Sequence, residues 1–188
     1  EELKFLKKEY GLRGIQFHDD TMTLNKKWLH ELCDLMIKEE LNLEWFCNAR
    51  VGTVDKELLQ KIEAAGCTTI TFGVESGNQR VLDQIIKKGI TLEAIDETFR
   101  LVRDATNLLL HATFMIGSPG ETKAEIEETI AYAKKINPDV AHFAITIPFP
   151  GTEMFGMAQQ HGKLRFDSWS DFHFFRSAVF ESKEFDID

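Results

Sequence analysis

A chain of 188 residues that is 43% hydrophobic can bury one core, and its 28% of charged residues are too well mixed with apolar ones for a disordered segment. A net charge of −9 argues against non-specific binding to nucleic-acid phosphates. No apolar run approaches the roughly 20 residues that cross a bilayer, and the opening EELKFLKKEYG reads as a charged amphipathic helix rather than a secretion signal.

Taken in chain order, strands and helices alternate. After the helix at residues 1–10, RGIQFH (13–18) is a short strand. Residues 25–40 carry Trp28, Leu29, Leu32, Leu35 and Met36 at helical spacing. LEWFCN (43–48) is a strand, and 55–65 is a helix with Asp55 at its start and Gly66 at its end. TTITFGV (68–74) has the β-branched and aromatic content of a strand. A short helix over 78–86 and a longer one over 91–105 follow; the latter opens on Thr91, with Ala94 where a capping box would have glutamate. NLLLHATFMIG (107–117) is a strand closed by a Gly-Ser-Pro-Gly turn, and 121–136 is a helix. DVAHFAITI (139–147) is the last strand, broken by PFPGTEMF, and a final helix covers about residues 152–161.

Five strands, each followed by a helix, are the βα repeat of a parallel sheet. The strands are close to continuous apolar runs, which predicts cover on both faces. No Gly-x-Gly-x-x-Gly opens a helix, and the βα spacing is even, so a barrel is favoured over a doubly wound sheet. The expected division is a barrel-type domain over 1–162 and an aromatic-rich extension over 163–188. The extension, with Trp169, Phe172, Phe174 and Phe175, is expected to pack over the barrel.

In such proteins chemistry gathers beyond the C-terminal ends of the strands. Strand one ends on His18-Asp19-Asp20, strand two on Asn48-Ala49-Arg50, strand three on Glu75-Ser76, strand four on GSPGET (117–122), and strand five on PFPGT (148–152). Five polar ends at equivalent places are expected to face one mouth. Carboxylates and amides there can bind hydroxyls or an ammonium, Arg50 and Lys87 can pair a carboxylate, and Gly117, Gly120 and Gly151 let backbone approach a flat ligand. An aminoacyl nucleoside fits that list. Each feature also has an ordinary reading. Asp19-Asp20 could cap the next helix, Glu75 could cap the helix near Asn78, and Arg50 and Lys87 could be solvated charges. GSPGE could be a turn whose glutamate favours the helix dipole. His18, His111 and His142 have no metal-ligand spacing and read as packing or turn residues.

The segments IQFHDD, WFCNARVGTVDKELLQKIEAAGCTTITFGVESGNQRVLDQIIKKG, FMIGSPGET and IPFPGT resemble the radical S-adenosylmethionine enzymes over about residues 10–155. The likeness is to the branch that often carries a cobalamin-binding domain, including anaerobic magnesium-protoporphyrin monomethyl ester cyclases, and also to the methylthiotransferases. The resemblance implies an α/β fold, a partial (βα)6 TIM-like barrel lacking its first strand. It implies an enzyme, an oxidoreductase/cyclase or methyltransferase, that cleaves S-adenosylmethionine reductively and abstracts hydrogen from a small-molecule substrate. The cofactors implied are S-adenosylmethionine and a [4Fe–4S] cluster, with cobalamin as a further candidate. By the same resemblance Asp19, Asp20, Asn48 and Arg50 fall at the methionine end, Glu75 and Ser76 at the ribose, Lys87 at the methionine carboxylate, Met115 with Ile116 against adenine, and Pro148 to Gly151 at the adenine edge.

The family's Cys-x-x-x-Cys-x-x-Cys loop, whose thiolates hold three irons, is absent. Cys33, Cys47 and Cys67 are 14 and 20 residues apart and suit reduced thiols of a cytoplasmic protein. The chain is therefore expected to be a fragment that forms no cluster and is inactive alone, with the edge at 13–18 covered by another chain or by the aromatic tail. The competing readings are a non-radical βα-barrel enzyme using Asp19, Asp20 and Glu75 as acid and base groups, and a degenerate barrel serving as a binding scaffold.

Overall fold

The computed structural model describes residues 1–172 and 179–184. Phe174 and Phe175 of the aromatic tail lie outside the described residues. Helices α1 (Glu2–Tyr10), α2 (Lys26–Lys38), α3 (Lys56–Ala64), α4 (Leu92–Ala105), α5 (Lys123–Ile136) and α6 (Glu153–His161) alternate with strands β1 (Gly14–Gln16), β2 (Glu44–Ala49), β3 (Cys67–Glu75), β4 (Leu109–Ile116) and β5 (Val140–Ile145). A further pair, β6 (Gly162–Leu164) and β7 (Phe180–Ser182), forms an antiparallel hairpin. Among the described residues no helix is long and apolar enough to cross a membrane.

The first five strands are parallel and stand in sequence order, β1-β2-β3-β4-β5. A doubly wound sheet reverses its order at a switch point; this sheet does not, and its topology is that of consecutive strands of a partial (βα) barrel. Right-handed crossovers taken always in one direction put every helix on one face of the sheet. The burial follows. In β2, Trp45, Cys47 and Ala49 are buried while Glu44 and Phe46 face out, and β3 and β4 alternate in the same way. The expected cover on both faces is corrected accordingly: along β2, β3 and β4 one face is dry and the other half-covered, and β5 is exposed except for the half-buried Ala144.

The chain forms two compact units, Glu1–Gly73 with Glu93–Ala112 and Pro138–Val140, and Val74–Leu92 with Thr113–Asn137 and Ala141–Asp188. In the first, α2 is capped by Asn25, whose side chain accepts the Trp28 N–H, and it buries Leu29, Cys33 and Met36 at helical spacing. Asp55 caps α3 in the same way through Leu58 N–H. Gly66 closes α3 with φ +97°; a Cβ there would stand 2.2 Å from Leu43 O, so only glycine admits the approach to the start of β2. Trp45 fills this core and donates its indole N–H to Ala65 O at 2.9 Å. Phe72 and Phe99 pack beside it with ring centroids 5.8 Å apart.

In the second unit Val74, Val81, Leu82, Phe114 and Ala158 are buried, and Phe114 stacks on Phe143 at 4.8 Å. Thr122 and Glu125 form the capping box of α5. The segment expected as a plain short helix over 78–86 is instead a π-helical turn over Val81–Ile86. The tail's described strand pairs with β6, not with β1. β1 stands at the end of the strand order, with Gly14 and Gln16 exposed and Ile15 half-buried.

Candidate nucleoside site

In the first unit, the end of β1 runs into His18, Asp19 and Asp20, all exposed. Neither aspartate caps α2; Asn25 does, which sets aside the capping alternative for Asp19-Asp20. Asn48, near the end of β2, donates its side-chain N–H to Asp19 O at 3.2 Å and ties the two strand ends together. Arg50 is half-buried and its backbone is clamped. Its N–H donates to Thr23 Oγ1 at 3.4 Å, Thr23 and Thr53 hydroxyls meet at 2.6 Å, and Thr53 Oγ1 donates to Arg50 O at 2.7 Å. This threonine pair, with Thr23 buried and Thr53 half-buried, fixes where the arginine leaves the chain, and nothing in the hydropathy pattern announced it.

The second unit holds Glu75. Glu75 ends β3 with φ +69°, a left-handed conformation that costs a side-chain-bearing residue free energy and is typical of functional positions. Its carboxylate meets Lys88 Nζ at 2.6 Å, with side chains only 14% and 25% exposed. The capping alternative for Glu75 falls, because Asn78 Oδ1 accepts the Val81 N–H and opens the turn. Ser76 is fully buried; its hydroxyl meets Thr129 Oγ1 at 3.0 Å and accepts the Asn78 N–H at 3.1 Å. It holds the turn and offers nothing to solvent. Lys87, the expected cation, is exposed and pairs with Glu153 of α6. The lysine on Glu75 is its neighbour, Lys88, which sequence reading could not separate from it.

Met115 and Ile116 are half-buried at the end of β4, and Pro148 is buried after β5. The two strand ends are linked by Thr146 N–H to Ile116 O at 2.8 Å and by the Ser118 and Thr146 hydroxyls at 2.8 Å. Gly117 and Gly120, at φ +75° and +81°, shape the turn between β4 and α5. Within it sits a carboxyl that sequence reading passed over as a dipole partner. Glu121 is fully buried, its Oε2 accepts the Ser118 N–H at 2.9 Å, and its Oε1 has no partner among the described residues. Burial pushes its pKa up. The helix-dipole role belongs to Glu125, which the Arg80 guanidinium grips with two contacts of 2.6 Å, pulling its pKa down to about 2. The only signal for Glu121 was its place between Gly120 and the Thr122 cap.

The cysteines do not fit a cluster. All three are buried free thiols, on α2, β2 and β3. Cys67 is hydrogen-bonded with Cys47, which together with burial raises it, and burial pushes Cys33 up to about 12. Iron needs thiolates, and burial disfavours that form at Cys33 and Cys67. Among the described residues no group of three or more His, Cys, Asp or Glu side chains could hold a metal ion.

The chain matches the radical SAM superfamily profile over residues 1–133. It is 40% identical over 172 residues to an uncharacterised methyltransferase of Pyrococcus horikoshii, covering 90% of this chain and 36% of that protein. To the anaerobic magnesium-protoporphyrin IX monomethyl ester cyclase of Cereibacter sphaeroides it is 35% identical, covering 82% and 26% respectively. The solved radical S-adenosylmethionine methyltransferase TsrM of Kitasatospora setae, with cobalamin and a [4Fe–4S] cluster bound, superposes with a TM-score of 0.72 at 20% identity, over 85% of this chain and 30% of that one. The chain thus spans about a third or less of the relatives it matches. The family match over residues 1–133, the identity to these relatives and the strand topology agree, and the chain belongs to the radical SAM superfamily.

Proposed function

We propose that this chain is the S-adenosylmethionine-binding part of a radical SAM enzyme acting on a small molecule. The observation that carries the reading is Glu75: a carboxylate at the C-terminal end of a parallel strand, held in a strained backbone conformation and aimed by an ammonium. A carboxylate so placed accepts two hydrogen bonds from a vicinal diol, as a ribose presents. Met115 and Ile116 supply an apolar wall for a base, and Pro148 borders its edge. In the first unit Asp19, Asp20 and Asn48 are acceptors that suit an ammonium and Arg50 a cation that suits a carboxylate, while Lys87, in the second unit, is engaged by Glu153. Ser76 contributes by fixing the Glu75 turn.

The thiols of this chain do not fit an iron–sulfur cluster, so no step is assigned through one. The chain alone makes no radical. Methyl transfer and cyclisation, the reactions in the relatives' names, are open to the whole protein, and cobalamin is a candidate cofactor of its other parts. The experiment is an equilibrium titration with S-adenosylhomocysteine. The wild-type protein is expected to bind at one site, with Glu75→Ala weakened by about 10-fold or more, the worth of a charge-assisted hydrogen bond. No binding, or binding indifferent to Glu75, refutes the reading.

A further inference from the structure

The π-helical turn that follows Glu75 has a consequence for the site. Its end is closed by two backbone bonds to one carbonyl: the N–H groups of Lys87 and Lys88 both donate to Leu82 O, the second at 3.0 Å. Lys87 takes the left-handed conformation there, φ +55°. A turn with one residue more than an α-helix rotates all that follows by about 100°. Two adjacent, chemically identical side chains are thereby sent apart, Lys87 to Glu153 on α6 and Lys88 to Glu75 at the end of β3.

We propose that Lys88 is the positioning residue of the site: it acts through Glu75, holding that carboxylate aimed so that its remaining lone pairs meet the ligand's diol. The inference rests on the nucleoside reading above. Three features support it. The pair is mostly withdrawn from water, where an ion pair is screened little. A single ammonium contact leaves most of a carboxylate's roughly four acceptor positions open. And the strained Glu75 backbone needs an outside restraint to stay strained, which a neighbour 13 residues on, delivered by a hydrogen-bonded turn, provides.

The test is a double-mutant cycle in the intact protein, read by S-adenosylhomocysteine affinity. Lys88→Met is expected to weaken binding about 10-fold, and Lys88→Arg to restore it to within about 3-fold. In the Glu75→Gln background Lys88→Met is expected to cost nothing further, because its only route to the ligand is gone. An equal loss in both backgrounds, or no loss in either, overturns the inference. If the wild type itself does not bind, the nucleoside reading fails and takes the ligand half of the inference with it. Urea unfolding of the same four proteins then decides the pair: coupling upholds Lys88 as the residue that holds Glu75, and additivity removes that role.

Discussion

Glu121 and Glu125 lie four residues apart in one turn and are pushed in opposite directions. Glu125 is stabilised as an anion by Arg80 and by Thr122, and its pKa falls to about 2. A lowered value means stability that is present above the ordinary carboxylate range and lost as pH falls from about 4.5 towards about 2. Arg80→Met is expected to flatten that acid limb and to cost on the order of 1–2 kcal/mol at neutral pH, trimmed because Arg80 is partly in water. Unfolding in urea at several pH values measures both. Glu121 has the reverse sign. Burial raises its value, so the folded chain keeps the proton longer than the unfolded chain. The favourable contribution is complete below the ordinary carboxylate range and is lost as pH rises through the raised value. Glu121→Gln therefore gains on the wild type as pH rises from 5 to 8 in the same assay; a constant gap between the two contradicts this account. Neither behaviour was legible in GSPGETKAE, where both glutamates look alike. What separates them is which one meets Arg80, and that depends on a contact made 45 residues away.

At the scale of elements, periodicity and caps did most of the work. The 3.6-residue repeat of α2, the Asp55 cap and the Gly66 stop placed those helices within a residue or two, because local hydrogen bonds and one apolar face decide them. That the helix expected over 78–86 is a π-helical turn at Val81–Ile86 was not legible, since its apolar residues and the Asn78 cap suit an α-helix equally. The choice between Lys87 and Lys88 was hidden with it. Close approaches are equally silent in sequence. A Cβ on Gly77 would stand 2.4 Å from Tyr132 Cβ and 2.9 Å from Thr129 Cα, so the turn after β3 packs directly on α5. The same helix supplies Thr129 to both Ser76 and the Gly77 N–H. Gly77→Ala is expected to destabilise by about 1–3 kcal/mol, as overpacking of a close-packed site does, with a lowered melting temperature as the measurement.

For the whole molecule, the strand order is the informative quantity. Even βα spacing and the missing Gly-x-Gly-x-x-Gly pointed to consecutive barrel strands, and the order β1 to β5 is that topology. The two-sided cover inferred from apolar runs was mistaken because the run of hydrophobic residues does not reveal on which face the crossovers fall. Cys33, Cys47 and Cys67 are buried free thiols on three different elements; burial raises Cys33, and the hydrogen bond with Cys47 together with burial raises Cys67. Anaerobic reconstitution of the chain with iron and sulfide is accordingly expected to give none of the broad visible absorbance of a [4Fe–4S] centre. A stoichiometric cluster would contradict the assignment of these cysteines to the core.

The central claim is that a nucleoside is bound at the ends of β3 and β4. Backbone amide hydrogen exchange with and without S-adenosylhomocysteine locates it most directly. The account predicts ligand-induced protection at Val74–Asn78 and at Met115–Gly120, absent in Glu75→Ala; protection confined to other segments, or none at saturating ligand, would contradict it.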